Sequence, residues 1–214
     1  MPFQATSERI ESLDKGSRNA FILQNPTTAS LYFANRYKDE FSLADLEAFL
    51  TALEPTDRQS SLAKRIESYL RAKKLGPVSV GKKIIDFQLV DVAGNLIPIL
   101  NPTRTPKLIS LFSSSCQFSI ASIKLLAELN ELNQGQLELV TIWTDESRDT
   151  WLNAFKDHKA QITWTNLWDG FGFAQTYLDL KAWPTFYLVN EEGVLTEKFS
   201  NSKSMGKKMK GLLK

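Results

Sequence analysis

The chain has 214 residues, 43% hydrophobic and 23% charged, a globular balance that excludes wholesale disorder and a membrane protein. A net charge of only +2 leaves no electrostatic footprint for nucleic acid. One cysteine, Cys116, and one histidine, His158, exclude an internal disulfide and argue against a zinc site, so neither metal nor cofactor is expected. No stretch approaches the ~20 apolar residues that span a bilayer, and Met1-Pro2-Phe3-Gln4 lacks the basic and apolar regions of a signal peptide.

The first part reads as a small all-α region, residues 1–75. A helix is expected from Ser7 to about Leu23, carrying Ile10, Leu13, Phe21 and Ile22, and Asn25-Pro26 ends it because proline cannot continue the ladder. A second runs from Thr28 to Tyr37, with Leu31, Tyr32 and Ala34 at helical spacing. Ser42 then caps a third that carries Leu43, Leu46, Phe49, Leu50 and Leu53, with Asp45 placed as in a capping box. Pro55 closes that helix. A fourth, from about Thr56 to Lys73, keeps Leu62, Ile66, Tyr69 and Leu70 on one face, and Gly76-Pro77 marks a linker.

Beyond the linker, residues 80–214 alternate short β-branched runs with helical patterns. Phe87, Leu89 and Val92 lead through Gly94-Asn95 to Leu96–Leu100 as a hairpin. Pro106–Phe112 is a buried central strand, broken by Ser113-Ser114-Ser115 just before an amphipathic helix with Ile120, Ile123, Leu126, Leu129 and Leu132. Leu137–Trp143 is a strand, Ser147–His158 a helix, Trp164–Trp168 a short extended segment and Phe171–Leu178 helical. Thr185–Val189 and Val194–Phe199 form a hairpin about Asn190–Gly193 before a terminal helix whose basic run, Lys203–Lys214, reads as a solvated face. The class is α/β, a mixed sheet flanked by helices and preceded by the all-α region.

Cys116 falls at the first turn of the amphipathic helix. A thiol there faces unpaired backbone N–H groups and the positive end of the dipole, and both stabilise the nucleophilic thiolate. The alternative is a small buried hydrophobe, a common fate of free cysteine. Asp145 and Glu146, where a strand gives way to a helix, read as cap and first-turn residues with Asp149 nearby, and Lys124 is expected to face solvent. Trp143, Trp151, Trp164 and Trp168 read as packing.

The order hairpin, buried strand, Ser-Ser-Ser-Cys-Gln-Phe-Ser, helix, strand, helix, Trp-Pro-Thr, hairpin, helix resembles thioredoxin. Within that superfamily the likeness is to thiol-disulfide oxidoreductases of the TlpA and ResA type and the related peroxiredoxin-like (AhpC/TSA) proteins. Three stretches carry it: Asp86–Leu89 through Gly94-Asn95, Trp168–Gly172 through Leu180, and Trp183–Phe186 through Gly193.

The resemblance implies that Cys116 attacks and that Ser119 occupies the place of the resolving cysteine, giving CxxS in place of CxxC. It also implies that Trp183-Pro184 is a cis peptide beside the cysteine, where the Trp183 backbone pairs with an extended substrate. A serine hydroxyl can hydrogen-bond a thiolate but cannot form the second sulfur bond, so turnover needs an outside thiol. Ser115 and Gln117-Phe118 depart from the Trp before the first cysteine and the Gly-Pro usual in such relatives.

Implied partners are protein thiols or disulfides, or a small thiol, with no nucleic acid and no metal. The implied place is the bacterial periplasm or cell envelope, with any membrane tether outside this chain. Envelope relatives often carry a further domain upstream, so the chain is expected to be a fragment or a shortened member. The rival readings are a redox-inactive protein-binding module and, more weakly, a one-cysteine peroxidase, which needs a threonine three residues before the thiol, where Ser113 stands.

Overall fold

Side-chain caps divide the first 75 residues into short helices. The computed structural model describes residues 3–100, 105–133 and 135–213, and the chain falls into two compact units, Met1–Leu75 and Gly76–Lys214. Helices α1 (Phe3–Ser12) and α2 (Lys15–Gln24) replace the single helix expected over this stretch. The break follows from Asp14, whose carboxylate accepts the N–H groups of Gly16 (3.0 Å) and Ser17 (3.1 Å) and so starts a new helix.

α3 (Thr28–Arg36) and α4 (Leu43–Ala52) begin at Thr27 and Ser42. Ser42 Oγ accepts the Asp45 N–H at 3.1 Å and donates to the Asp45 carboxylate at 2.7 Å. Pro55 does not close α4: it opens the short α5 (Pro55–Arg58), where a missing N–H costs nothing, and α6 (Ser61–Leu75) follows. Ile10, Ile22, Leu31, Phe33, Leu46, Phe49 and Ile66 make the core of this unit. Phe33 turns inward where the helical spacing had suggested Tyr32, which is exposed.

The second unit is built on one seven-stranded sheet. Its strands are β1 (Gln88–Asp91), β2 (Leu96–Pro98), β3 (Lys107–Phe112), β4 (Glu138–Trp143), β5 (Thr165–Trp168), β6 (Thr185–Val189) and β7 (Leu195–Phe199). The order across the sheet is β2-β1-β5-β4-β3-β6-β7. β3 pairs parallel with β4 and β4 with β5, while β6 lies antiparallel to β3 and β1 antiparallel to β5. β3, buried at all six positions, is the spine. The expected mixed α/β sheet is therefore what forms.

The helices of this unit are α7 (Gln117–Leu132), α8 (Arg148–His158), α9 (Phe173–Tyr177) and α10 (Ser202–Leu212). Strand alternation places Leu108, Phe112, Leu139, Trp143, Phe186 and Leu188 on one face, with Ile123, Leu126 and Leu129 of α7, Trp151 of α8 and Met205 and Met209 of α10. α10 reaches α7 at Gly206, where a Cβ would lie only 2.8 Å from Leu125. On the other face Tyr187 donates its hydroxyl to the Leu178 carbonyl just after α9, at 2.9 Å.

α9 has five residues and leans on one acidic side chain. Asp169, buried, accepts the N–H of Phe173 at 2.9 Å through one oxygen and that of Gln175 at 3.0 Å through the other. Burial pushes its carboxyl up to about 6, against these N–H groups, which favour the carboxylate.

A carboxyl raised in the folded state holds its proton better there than in the unfolded chain. Its stabilising contribution is therefore complete below about pH 4 and lost as the pH climbs through about 6. The five tryptophans all lie in this unit and report its unfolding in urea. Relative to D169N, the protein is expected to lose about 3 kcal/mol between about pH 4 and about pH 7; a difference flat with pH would rule out this effect of burial.

Candidate active site

The parallel strands β3, β4 and β5 end at one edge of the sheet, and antiparallel β6 begins there. Residues just beyond those strand ends are brought together, as is general for α/β sheets. They are Ser113–Cys116 after β3, Thr144 and Asp145 after β4, Trp168 and Asp169 at and after β5, and Trp183-Pro184 before β6.

Cys116 is the N-cap of α7, one position before the first helical residue, and its carbonyl accepts the first intrahelical bond from the Ile120 N–H at 3.2 Å. The residue is half-buried. No helix N–H donates to it. The thiol instead donates to the carbonyl oxygen of Trp183 at 3.3 Å, across 67 positions of sequence. The Trp183-Pro184 bond is cis, Pro184 is buried and Trp183 is exposed. Cys116 and Trp183 thus meet directly.

Ser119 does not join them. It is fully buried one turn into α7, and its hydroxyl accepts the Ser113 N–H at 3.3 Å, so it ties the loop to the helix.

The loop carrying Cys116 is held from behind by Asp145. Its carboxylate accepts the Ser114 hydroxyl at 2.7 Å, the Ser114 N–H at 3.0 Å and the Ser113 hydroxyl at 3.4 Å. Ser113 and Ser115 hydroxyls also meet at 2.9 Å. Asp145 is therefore not the helix cap expected from its position, because Ser147 caps α8 by accepting the Thr150 N–H. The physical reason is burial: an Asp at the end of a buried strand must find donors, and the serine loop beside it supplies them. Glu146, Asp149 and Lys124 are exposed.

Of the tryptophans read as packing, Trp143 and Trp151 are fully buried, and Trp151 stacks on Trp168 with ring centroids 6.0 Å apart. Trp168 in turn donates its indole N–H to the Asp145 carbonyl at 2.7 Å, steadying the residue that steadies the loop. Among the described residues no group of three or more His, Cys, Asp or Glu side chains is placed to hold a metal ion.

Solved structures with this arrangement of strands and helices decide the fold. The thioredoxin domain of a thiol-disulfide oxidoreductase from Bacteroides vulgatus matches with a TM-score of 0.55 at 15% identity, over 64% of this chain and 99% of that one. The second unit has the thioredoxin fold. A putative thiol:disulfide interchange protein DsbE from Chlorobium tepidum gives 0.56 at 16% identity, over 64% and 99% of the two chains. A thiol-disulfide oxidoreductase from Bacteroides fragilis gives 0.54 at 19%, over 61% and 99%. No protein-family model matches the sequence, and no curated protein does. No described helix is long and apolar enough to cross a membrane.

In this thioredoxin-like unit the order of the cysteine loop rests on one carboxylate, which gives a direct test. D145A leaves the Ser114 N–H without its acceptor, and hydrogen bonds to a charged group contribute ~1.5–3 kcal/mol each. Urea unfolding is expected to show a loss of about 2–3 kcal/mol, with faster amide exchange at Ser114 to Cys116. D145N, which keeps one acceptor oxygen, is expected to retain most of the protection; equal exchange in all three proteins would show that the loop does not depend on Asp145.

Proposed function

We propose that the second unit carries out thiol-disulfide exchange with protein thiols or disulfides, using Cys116 as its single attacking sulfur. The observation that carries this reading is the meeting of a half-buried thiol, at the start of α7, with the carbonyl of Trp183. A sulfur at that edge is accessible, and the residue it touches, Trp183, is exposed before β6. Solved structures of the same fold named as thiol-disulfide oxidoreductases or interchange proteins add support.

In the forward step the Cys116 thiolate attacks one sulfur of a partner disulfide. A Cys116–partner disulfide forms, the partner's own S–S bond breaks, and the displaced sulfur leaves as a thiolate that takes up a proton. Ser119 stands where a second thiol would reverse the capture, so release waits on an external thiol that attacks the mixed disulfide. The cell envelope suits this chemistry because disulfides persist in oxidising compartments. Two proteins of similar structure are a secreted disulfide oxidoreductase of Mycobacterium tuberculosis and an exposed lipoprotein thioredoxin of Streptococcus pneumoniae. One observation favours the alternative of a redox-inactive binding module: the thiol is engaged as a donor to Trp183, a bond that only its protonated form makes.

Iodoacetamide labelling near neutral pH separates the two. Exchange is expected to go with labelling of Cys116 in the folded protein at least as fast as in urea; protection until unfolding would favour the binding module. A second variant tests the resolving position. The unsubstituted protein is expected to accumulate a mixed disulfide with a reduced-and-reoxidised test protein, while S119C releases the partner and closes an internal disulfide. Accumulation to the same level in both would remove Ser119 from the mechanism.

A further inference from the structure

The stretch of chain that brings the Trp183 carbonyl to the thiol starts from a tight reversal at the end of α9. The Asp179 N–H donates to the Thr176 carbonyl at 3.2 Å and the Leu180 N–H to the Gln175 carbonyl at 2.9 Å, the two bonds that close a Schellman turn. Such a turn needs one residue in the left-handed region, which glycine enters without steric cost. Asp179 stands there instead, at φ +52°, the one non-glycine residue with positive φ among those described. A side chain kept in that region calls for bonds from outside the turn.

The β6–β7 hairpin supplies them. Tyr187 and Lys198 are opposite one another in its register, and both reach the turn. The Tyr187 hydroxyl donates to the Leu178 carbonyl at 2.9 Å. The Lys198 ammonium, 5.3 Å from the centre of the Tyr187 ring, donates to the Asp179 carbonyl at 2.8 Å and to the Leu178 carbonyl at 3.4 Å. One cation thus ties both carbonyls that follow α9, including that of the left-handed residue itself. The Asp179 carboxylate is paired elsewhere, with Lys181 at 2.7 Å.

Packing does not fix the chain beyond the turn, because none of Leu180, Lys181, Ala182 and Trp183 is buried. Its position is set at its two ends. At the far end the Thr185 hydroxyl donates to the Ala182 carbonyl at 2.7 Å, and Trp183 meets Cys116. At the near end stand Tyr187 and Lys198. Resting on the exchange reading above, we infer that Lys198 is a positioning residue for Cys116. By holding the turn after α9 it keeps the Trp183 carbonyl on the thiol, and so sets how readily the sulfur is released to react.

Cys116 is the chain's one thiol, so the S–H stretch in the infrared belongs to it alone. In the unsubstituted protein that band is expected at the lowered frequency of a hydrogen-bonded thiol. K198M is expected to move it and to speed iodoacetamide labelling of the folded protein by about fivefold, the weight of one net hydrogen bond. The gain is expected to be independent of urea at low concentration, the mark of a local release rather than of unfolding. K198R, which can donate to the same carbonyls, is expected to keep both band and rate near those of the unsubstituted protein. An unmoved band with equal labelling in all three proteins would overturn the inference and leave exchange standing. So would a gain in K198M that grows with urea from the start, since general loss of stability would then explain it. Mixed-disulfide formation with a disulfide-bonded test protein, followed by mass, is expected to quicken in K198M as labelling does. No mixed disulfide with any of the three would remove the exchange reading, and this inference with it.

Discussion

The carboxylate of Asp145 is the interaction on which the cysteine edge depends. Buried at the end of β4, it accepts from Ser114 through both hydroxyl and amide and from Ser113 through its hydroxyl, and so fixes the turn between β3 and α7. Three successive serines can adopt many loop shapes, and a loop so poor in apolar anchors has no packing of its own to choose one. A charged acceptor in a low-dielectric setting makes the choice, since leaving it unmatched is costly. The Trp168–Asp145 hydrogen bond and the Trp151–Trp168 stack carry that order outward to β5 and α8.

With the loop fixed, Cys116 becomes the cap of α7 rather than a member of its first turn. That single position matters. A cap residue has its own side chain outside the helix, and here the thiol turns to the Trp183 carbonyl while the helix N–H groups make no bond to it. The same loop brings the Ser113 amide to Ser119, whose hydroxyl is spent there in a buried site. Cys116 is thus half-buried at the cap, while the hydroxyl three positions on is fully buried and bonded to the loop.

Much of the α/β unit was legible because it depends on periodicity. β3 shows as a largely apolar run after a proline, Leu108–Phe112 with one serine in it, and α7 as an amphipathic repeat preceded by serines. Local chemistry was harder to read where two principles competed at one residue. Asp14 reads as one charge on a helix and acts as the cap of a new one; Pro55 reads as a stop and acts as a start. At the edge of the sheet, the cis Trp183-Pro184 bond beside Cys116 was legible from its motif, whereas the hydrogen bonds of Thr144 and Asp145 were not. Their partners lie in other strands, and hydrogen bonds such as Trp183 to Thr144, across 39 positions, leave no trace in local pattern.

On the exchange reading proposed above, a single attacking sulfur shifts what the protein must supply. In a two-cysteine cycle the second thiol limits the lifetime of a mixed disulfide, so a loosely held partner is still processed. On that reading, with serine in that place the mixed disulfide would last until an outside thiol reached it, and wrong captures would not be corrected from within. Discrimination then has to act before the S–S bond forms, at the level of docking. At the same strand ends the Trp183 indole is held by Thr144 and the Trp183 carbonyl meets the thiol, while Phe118 stands exposed two residues beyond Cys116. The frame that sets their geometry is the sheet itself: Thr144 holds the ring from β4, Phe112 holds Thr144 from β3, and the cysteine loop hangs from the same two strand ends.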